Sequence, residues 1–455
     1  MNLKYNRLSI GSKEFSRDAD GNVVKIPVVT DIKPYDSEST SIFYRGIANM
    51  DGRNGIKKGD IVYFKANNTR GVNYLGDTEE SKGSCEDVAE ILCYYLLKNL
   101  KEKHKEGFVL RGTPYEFADY SNDNFWKIIA RQTGGMVESD RLYGCVSKNA
   151  IHKDGTLVRG NIVLRTIMSD VDLKKSSKNT VYNYSKGLEG LVETYKNEGK
   201  TLIIHPECNR FAANLMFFDY FISNADRHCM NIVYEIVPVE GQENTFMIVP
   251  LSVLDNGGAF AMQSPSCERM YQNQVDFLLN NGKLGVTNLN AGYHNPFMGS
   301  YDLTAGSEIF ADPEIAKNFD NLSQIEQMII LASQNRTLFN DLKTLFNELD
   351  IKKALSDMKS DLRFPVQYSK DGNYLPGMPV VLLEVLRFKK EQISKTMAAM
   401  MGEEFDERKF ASDNSYYLDK FGKTMVREDE LTVHIAKNEE LKKFNQKTAV
   451  NGYGK

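Results

Sequence analysis

The chain has 455 residues, 41% hydrophobic and 26% charged, with a formal net charge of −4. At roughly 150 residues per domain that is about three structural units or one large bilobal one, with apolar chain enough for a core that needs no disulfide or metal staple. The mild acidity argues against a strongly basic nucleic-acid binder, and six scattered cysteines without a C-x-x-C pair give no sign of a zinc cluster or a disulfide framework.

In chain order, NVVKIPVV (22–29), SIFYRGI (41–47) and DIVYFKA (60–66) mix β-branched and aromatic residues between Gly and Asp borders, and are expected to be strands. GSCEDVAEILCYYLLKNLKEKHK follows, with Val88, Ile91, Leu92, Tyr95 and Leu96 at helical spacing and Ser84 placed as N-cap. FVLRGTPYEFADY and VSKNAIHKDGTLVRGNIVLRTIM, with turn signals at Gly112-Thr113-Pro114 and Asp154-Gly155, are expected to supply further strands. Ser169 to Lys186 is polar and weakly patterned, so a linker is expected there, and then GLEGLVETYKNEG as a short amphipathic helix.

CNRFAANLMFFDYFIS (208–223) is apolar almost all round, the mark of a buried helix. NIVYEIVPV and TFMIVPLSVLD are two strand-like runs joined by the turn EGQEN. From about residue 313 to 405 the chain is expected to be mainly helical, opened by Asp312-Pro313-Glu314 as N-cap, first-turn proline and acidic first turn. The last 50 residues are charged and poorly periodic. No run approaches the roughly 18 apolar residues of a membrane span. The first residues, MNLKYNRLSI, lack the apolar stretch of a signal peptide. A soluble cytoplasmic protein with free thiols is expected, and export without a cleavable signal stays open.

The chemistry concentrates where the buried helix ends. Asn224-Ala-Asp226-Arg227-His228-Cys229-Met230-Asn231 is followed 24 residues later by Asp255-Asn256-Gly257-Gly258, and a hairpin lies between them. Phosphoryl transfer needs such a set: a carboxylate to orient the attacking hydroxyl, and oxygen ligands for magnesium on the phosphates. Asp226 suits the orienting base, Asn231 and Asp255 the metal ligands, and His228 a support for the loop or a phosphate contact. Taken singly, Asp226 and Asn231 are ordinary turn formers; with His228 and Asp255 they make a site. His205 and Glu207 resemble H-x-E of the zinc deaminases, but no P-C-x-x-C follows. Gly155 and Gly160 are followed by Asn-Ile and not by Lys-Ser/Thr, so they make no P-loop. Phe217, Phe218, Tyr220 and Phe221 are expected in the core.

D-R-H-x-x-N followed by D-x-G resembles the catalytic and metal-binding elements of the HipA-like kinases, and is similar to those of the phosphoinositide 3-/4-kinases. FFDYFISNADRHCMN resembles the buried helix leading to N-x-D-x-H-x-x-N in HipA-like proteins. Their strand with a lysine, then a helix opening E-x-x-A, resembles IVYFK with Lys65 and the start Glu86-Asp87-Val88-Ala89. The resemblance implies that Lys65 contacts nucleotide phosphates and that Glu86 pairs with it, with Glu90 the competitor one turn on. About 70 residues carry the likeness; beyond them only the order of elements agrees. No G-x-G-x-x-G occurs before Lys65, which leaves DGRNG (51–55) and Asn67–Gly76 as candidates for a phosphate-covering loop. Ser81 and Ser84 lie nearby in sequence, and Asp255 is followed by Asn-Gly-Gly and not Phe-Gly.

The fold expected from this resemblance is α+β: a bilobal protein-kinase-like fold with a β-rich N-lobe (1–168), a mainly helical C-lobe (169–405) and a charged C-terminal extension (406–455). The expected function is ATP- and magnesium-dependent transfer of a γ-phosphoryl group to a hydroxyl, of a protein Ser/Thr first. A lipid or small-molecule kinase, a nucleotide-binding pseudokinase and a nucleotidyl transferase are the alternatives. A protein substrate and a regulatory partner protein are implied; a membrane span and direct nucleic-acid binding are not. The turn-rich segment 261–302, where a kinase would dock its substrate, offers only Arg269 and Lys283 to an anionic head group, which ranks the lipid kinase lower.

Overall fold

The computed structural model describes residues 29–34, 43–48, 51–52, 54–66, 86–104, 109–119, 143–152, 154–173, 181–222, 224, 227, 229–257, 259, 324–333, 336–350, 353–354, 357, 367–368, 374–375 and 378–413, some of them by backbone alone. Residues 22–28, the Asn67–Gly76 segment, Ser81, Ser84, the cap at 312–314, the segment 261–302 and everything past 413 lie outside the described residues.

A five-stranded antiparallel sheet takes the strands in the order β1 (Val29–Pro34), β2 (Phe43–Ala48), β3 (Ile61–Ala66), β5 (Tyr143–Lys148) and β4 (Tyr115–Asp119). Helix α1 (Glu86–Lys103) packs on β4 and β5. Every residue from Ala89 to Leu100 except Lys98 is buried, including Ile91, Leu92, Tyr95 and Leu96 of the helical spacing that the sequence shows. Register decides one candidate for the phosphate loop. Ile61 pairs with Ile47 at one end of the β2–β3 hairpin and Lys65 with Phe43 at the other. DGRNG sits in the turn beside Ile61, roughly 13 Å of strand away from Lys65. There Asn54 donates to the Tyr115 carbonyl at 2.9 Å, and Asp51 accepts from the Lys58 amide at 3.0 Å. Asn54 also donates to the Tyr95 hydroxyl of α1 at 3.2 Å, so the described part of that loop is tied to β4 and α1.

A second sheet has the order β6 (Thr156–Arg159), β8 (Val233–Pro238), β9 (Thr245–Pro250), β7 (Thr201–Ile204), antiparallel except for the parallel pair β7–β9. So β6, which the sequence reading groups with the first sheet, pairs in the second. The expected strand through NIVLRTIM is instead helix α2 (Gly160–Arg165). Gly160, Val163 and Leu164 are its buried face, and this i, i+3, i+4 set is helical, not alternating. A short helix α3 (Asp170–Leu173) follows, and α4 (Val181–Asn197) starts inside the stretch expected to be linker.

Two close approaches position this part. A Cβ on Gly160 would stand 2.6 Å from the Cys229 carbonyl oxygen, and one on Gly187 would stand 2.6 Å from the Val163 carbonyl oxygen. Neither position admits a side chain, so α2 lies backbone-to-backbone against the 229–231 turn on one side and α4 on the other. The Gly160 amide donates to the Ile232 carbonyl at 2.7 Å, and the Thr166 hydroxyl to the Gly187 carbonyl at 2.9 Å.

The centre of the core is α5 (Cys208–Ile222), whose Phe211, Leu215, Met216, Phe217, Phe218 and Phe221 are buried. Around it pack α4, β9, α7 (Arg336–Glu348) and α8 (Met378–Met401); α6 (Gln324–Ser333) lies against α7 and α8. The hairpin of β10 (Gln367–Tyr368) with β11 (Tyr374–Leu375) interrupts the expected helical stretch, and α9 (Glu407–Asp413) ends the described part. The fold is a mixed α and β one with two main sheets. Among the described residues, no helix is long and apolar enough to cross a membrane.

Candidate functional site

The site is built on the C-terminal end of α5. Asp219, within FFDYF, is the one acid of that helix, and its side chain is fully buried. A charge there needs a partner, because desolvating an unpaired carboxylate costs several kcal/mol. The partner is Arg227, also fully buried. Its Nε donates to Asp219 Oδ2 at 3.0 Å and its Nη2 to Asp219 Oδ1 at 3.0 Å, the two-pronged geometry a planar guanidinium favours. Burial pushes the Asp219 carboxyl up from its ordinary range, and the guanidinium and Asn224 pull it back.

The remaining donors of Arg227 go to the metal-candidate segments. Nη1 donates to the Leu254 carbonyl, to the Asp255 carbonyl at 3.4 Å and to the Asn231 carbonyl at 3.5 Å. Nη2 donates to Asn256 Oδ1 at 2.7 Å. One nitrogen thus reaches the main chain of both Asn231 and Asp255, the two residues expected to hold magnesium. Asn231 closes a single turn of 3₁₀ helix (Cys229–Asn231) that leads into β8, and Asp255 follows β9. The hairpin between them folds back on itself, as Tyr234 pairing with Pro250 requires. Asp255 has φ 54°, a left-handed conformation that Asp tolerates better than most residues.

On its other side the segment is tied to α1 and to the chain that follows it. The Asn256 amide donates to Glu90 Oε2 at 2.8 Å, with Glu90 1% exposed on the inner face of α1. The Val253 amide donates to the Arg111 carbonyl at 2.7 Å, and the Thr113 hydroxyl to the Val253 carbonyl at 2.9 Å. Gly112 and Val253 make an isolated parallel bridge.

Of the residues singled out in the sequence, Asn231 and Asp255 are brought together, each with partial solvent access. Lys65 lies in β3, with Phe43 and Cys145 opposite, and Glu86 is the first residue of α1; their side chains lie outside the described atoms. Asp226 and His228 flank Arg227 and lie outside the described residues. Glu90, the competitor to Glu86, is the carboxylate found against the segment Asp255–Asn256 among the described side chains of α1. Sequence reasoning missed Asp219 and Asn256 and gave Arg227 no role. The available signal was a lone acid among aromatics on a buried helix, which calls for a cation nearby.

The donor set fits magnesium. One carboxylate and one amide oxygen, with phosphate oxygens and waters, are a sufficient hard-oxygen set, because magnesium keeps much of its hydration. Among the described residues no group of three His, Cys, Asp or Glu side chains is poised for a metal.

No protein-family description matches the chain, and no curated protein matches it. Among solved structures, the crystal structure of CtkA, a proinflammatory kinase of Helicobacter pylori, matches with a TM-score of 0.34 at 11% sequence identity, over 73% of this chain and 97% of that one.

Proposed function

We propose that the protein is a magnesium- and ATP-dependent phosphotransferase of the HipA-like kind, with a protein Ser/Thr hydroxyl as acceptor and a bilobal kinase-like arrangement of its two sheets. The observation that carries the reading is Arg227, which holds the main chains of Asn231 and Asp255 on one nitrogen. That the main chains of Asn231 and Asp255, 24 residues apart in sequence, share one donor supports the reading.

In this reading Lys65 binds nucleotide phosphates from β3. Glu90 takes the role of the α1 acid, because it is the carboxylate seated against the metal segment; Glu86 lies one turn earlier. Asp226 accepts the hydrogen bond of the attacking hydroxyl and orients it in line with the γ-phosphorus. His228 supports the loop. The Asn231 amide oxygen and the Asp255 carboxylate face the cation, which when bound neutralises charge developing on the phosphate oxygens.

The test is Asp226→Ala, assayed with labelled ATP, magnesium and a protein mixture. Transfer should fall to background while ATP binding stays within a few-fold of wild type. Full turnover in that variant removes Asp226 from the mechanism. Mass spectrometry of the acceptor separates phosphate from nucleotide transfer.

A further inference from the structure

We propose that Arg227, clamped by Asp219, is a positioning residue that fixes Asn231 against Asp255 and, through Asn256 and Glu90, sets both relative to helix α1. This rests on the reading of Asn231 and Asp255 as metal ligands.

A guanidinium has five N–H groups in a fixed plane. Here they go to one carboxylate on α5 and to the 3₁₀ turn and the segment 254–256. Among the described residues, every acceptor other than Asp219 belongs to the two stretches that carry the proposed ligands. The described bonds to Asn231 and Asp255 are made to main-chain oxygens.

Stability alone does not call for such a residue. A buried ion pair replaced by apolar side chains of similar volume is often neutral or better for stability, whereas removing one partner is damaging. What apolar replacements cannot do is orient carbonyls. The chain of bonds also continues without a break: Arg227 to Asn256 Oδ1, then the Asn256 amide to Glu90. A displacement of α1 is thereby felt at the residue next to Asp255. Groups that orient metal ligands from behind typically change metal affinity by about 10–100-fold when removed.

The decisive variant is Asp219→Leu with Arg227→Met, which removes both charges and strands neither. Two measurements are made on the full chain. One is the affinity for Mn²⁺ in the presence of a non-hydrolysable ATP analogue, read by electron paramagnetic resonance. The other is amide hydrogen exchange over residues 253–257 with no ligand added. The double variant should melt cooperatively near the wild-type temperature, bind Mn²⁺ at least about tenfold more weakly, and exchange the Asn256 amide faster. Wild-type affinity and wild-type protection in a folded double variant overturn the proposal. If the double variant does not fold, Asn256→Ala decides, since it keeps the ion pair and the amide to Glu90. It should weaken Mn²⁺ several-fold, and unchanged affinity there overturns the proposal equally. If wild type itself takes up no Mn²⁺ with the nucleotide analogue, the functional reading fails. The exchange measurement then still shows whether Arg227 holds the segment.

Discussion

Near its start, α5 sends Arg210 to Asp341 of α7; near its end, it sends Asp219 to Arg227. Both are arginine–aspartate pairs with bidentate contact, and Asn214 adds a 2.7 Å bond to Asp341. They differ in what surrounds them. The first is partly solvated, with the Arg210 side chain 22% exposed, and it joins two helices. The second is wholly buried, and the rest of its hydrogen bonds reach the main chain and side chain of loops. The same chemistry clamps rigid elements at one end of the helix and shapes irregular backbone at the other. Loops lack the ladder of bonds that holds a helix, so an outside donor must supply what the backbone cannot.

Three measurements can break or sharpen that contrast. The largest effect is expected from Arg227→Ala, which strands a buried carboxylate and should cost about 3–5 kcal/mol in a denaturant titration. A cost under about 1 kcal/mol would show that Asp219 finds another partner, and the inner pair would lose its special standing. Asp341→Ala should cost about 1–3 kcal/mol, since Arg210 can turn to water. It should leave Mn²⁺–nucleotide affinity unchanged; a matching loss of affinity would mean that both ends serve the site.

The smallest effect is a pH dependence at the same end of α5. Lys389 of α8 donates to the Tyr220 carbonyl at 2.5 Å and the Phe221 carbonyl at 3.3 Å. Its ammonium caps the last turn of the helix and also lies 5.0 Å from the Tyr220 ring centre. Burial pushes its pKa down from 10.5 to about 7. The carbonyls and the ring face the charge and favour it, against burial. Between about 7 and 10.5 the unfolded chain holds a proton that the folded chain lacks, so stability rises with pH across that window and the gain is lost as pH falls through the folded pKa. Between pH 7 and 9, wild type should therefore gain about 1–2 kcal/mol over Lys389→Met. Parallel pH curves would show that the lysine stays charged throughout.

Much of the frame was legible. Helix α1, the strands around Phe43 and Ile61, the apolar α5 and the hairpin after Asn231 all carry their period in their own residues. NIVLRTIM was not legible as a helix, because a short apolar run fits both periods and only the contacts of Gly160 and Val163 separate them. The four residues of β7 are too few to show a pattern, and their partners in β9 lie 44 residues on, Thr201 pairing with Thr245. At the site, the metal candidates could be named from type and spacing. The work of Arg227 could not, since its acceptors are mostly carbonyls, which every residue has. Only the fold says which carbonyls turn inward.

The contacts at Gly160 and Gly187 have a mechanical result. Side chains ordinarily form a yielding layer between two lengths of main chain, and rotamer changes there absorb small shifts. No such cushion lies between the Cys229 carbonyl and α2, nor between α2 and α4. A shift of the turn that ends in Asn231 would meet the main chain of α2 first, and one of α2 the main chain of α4.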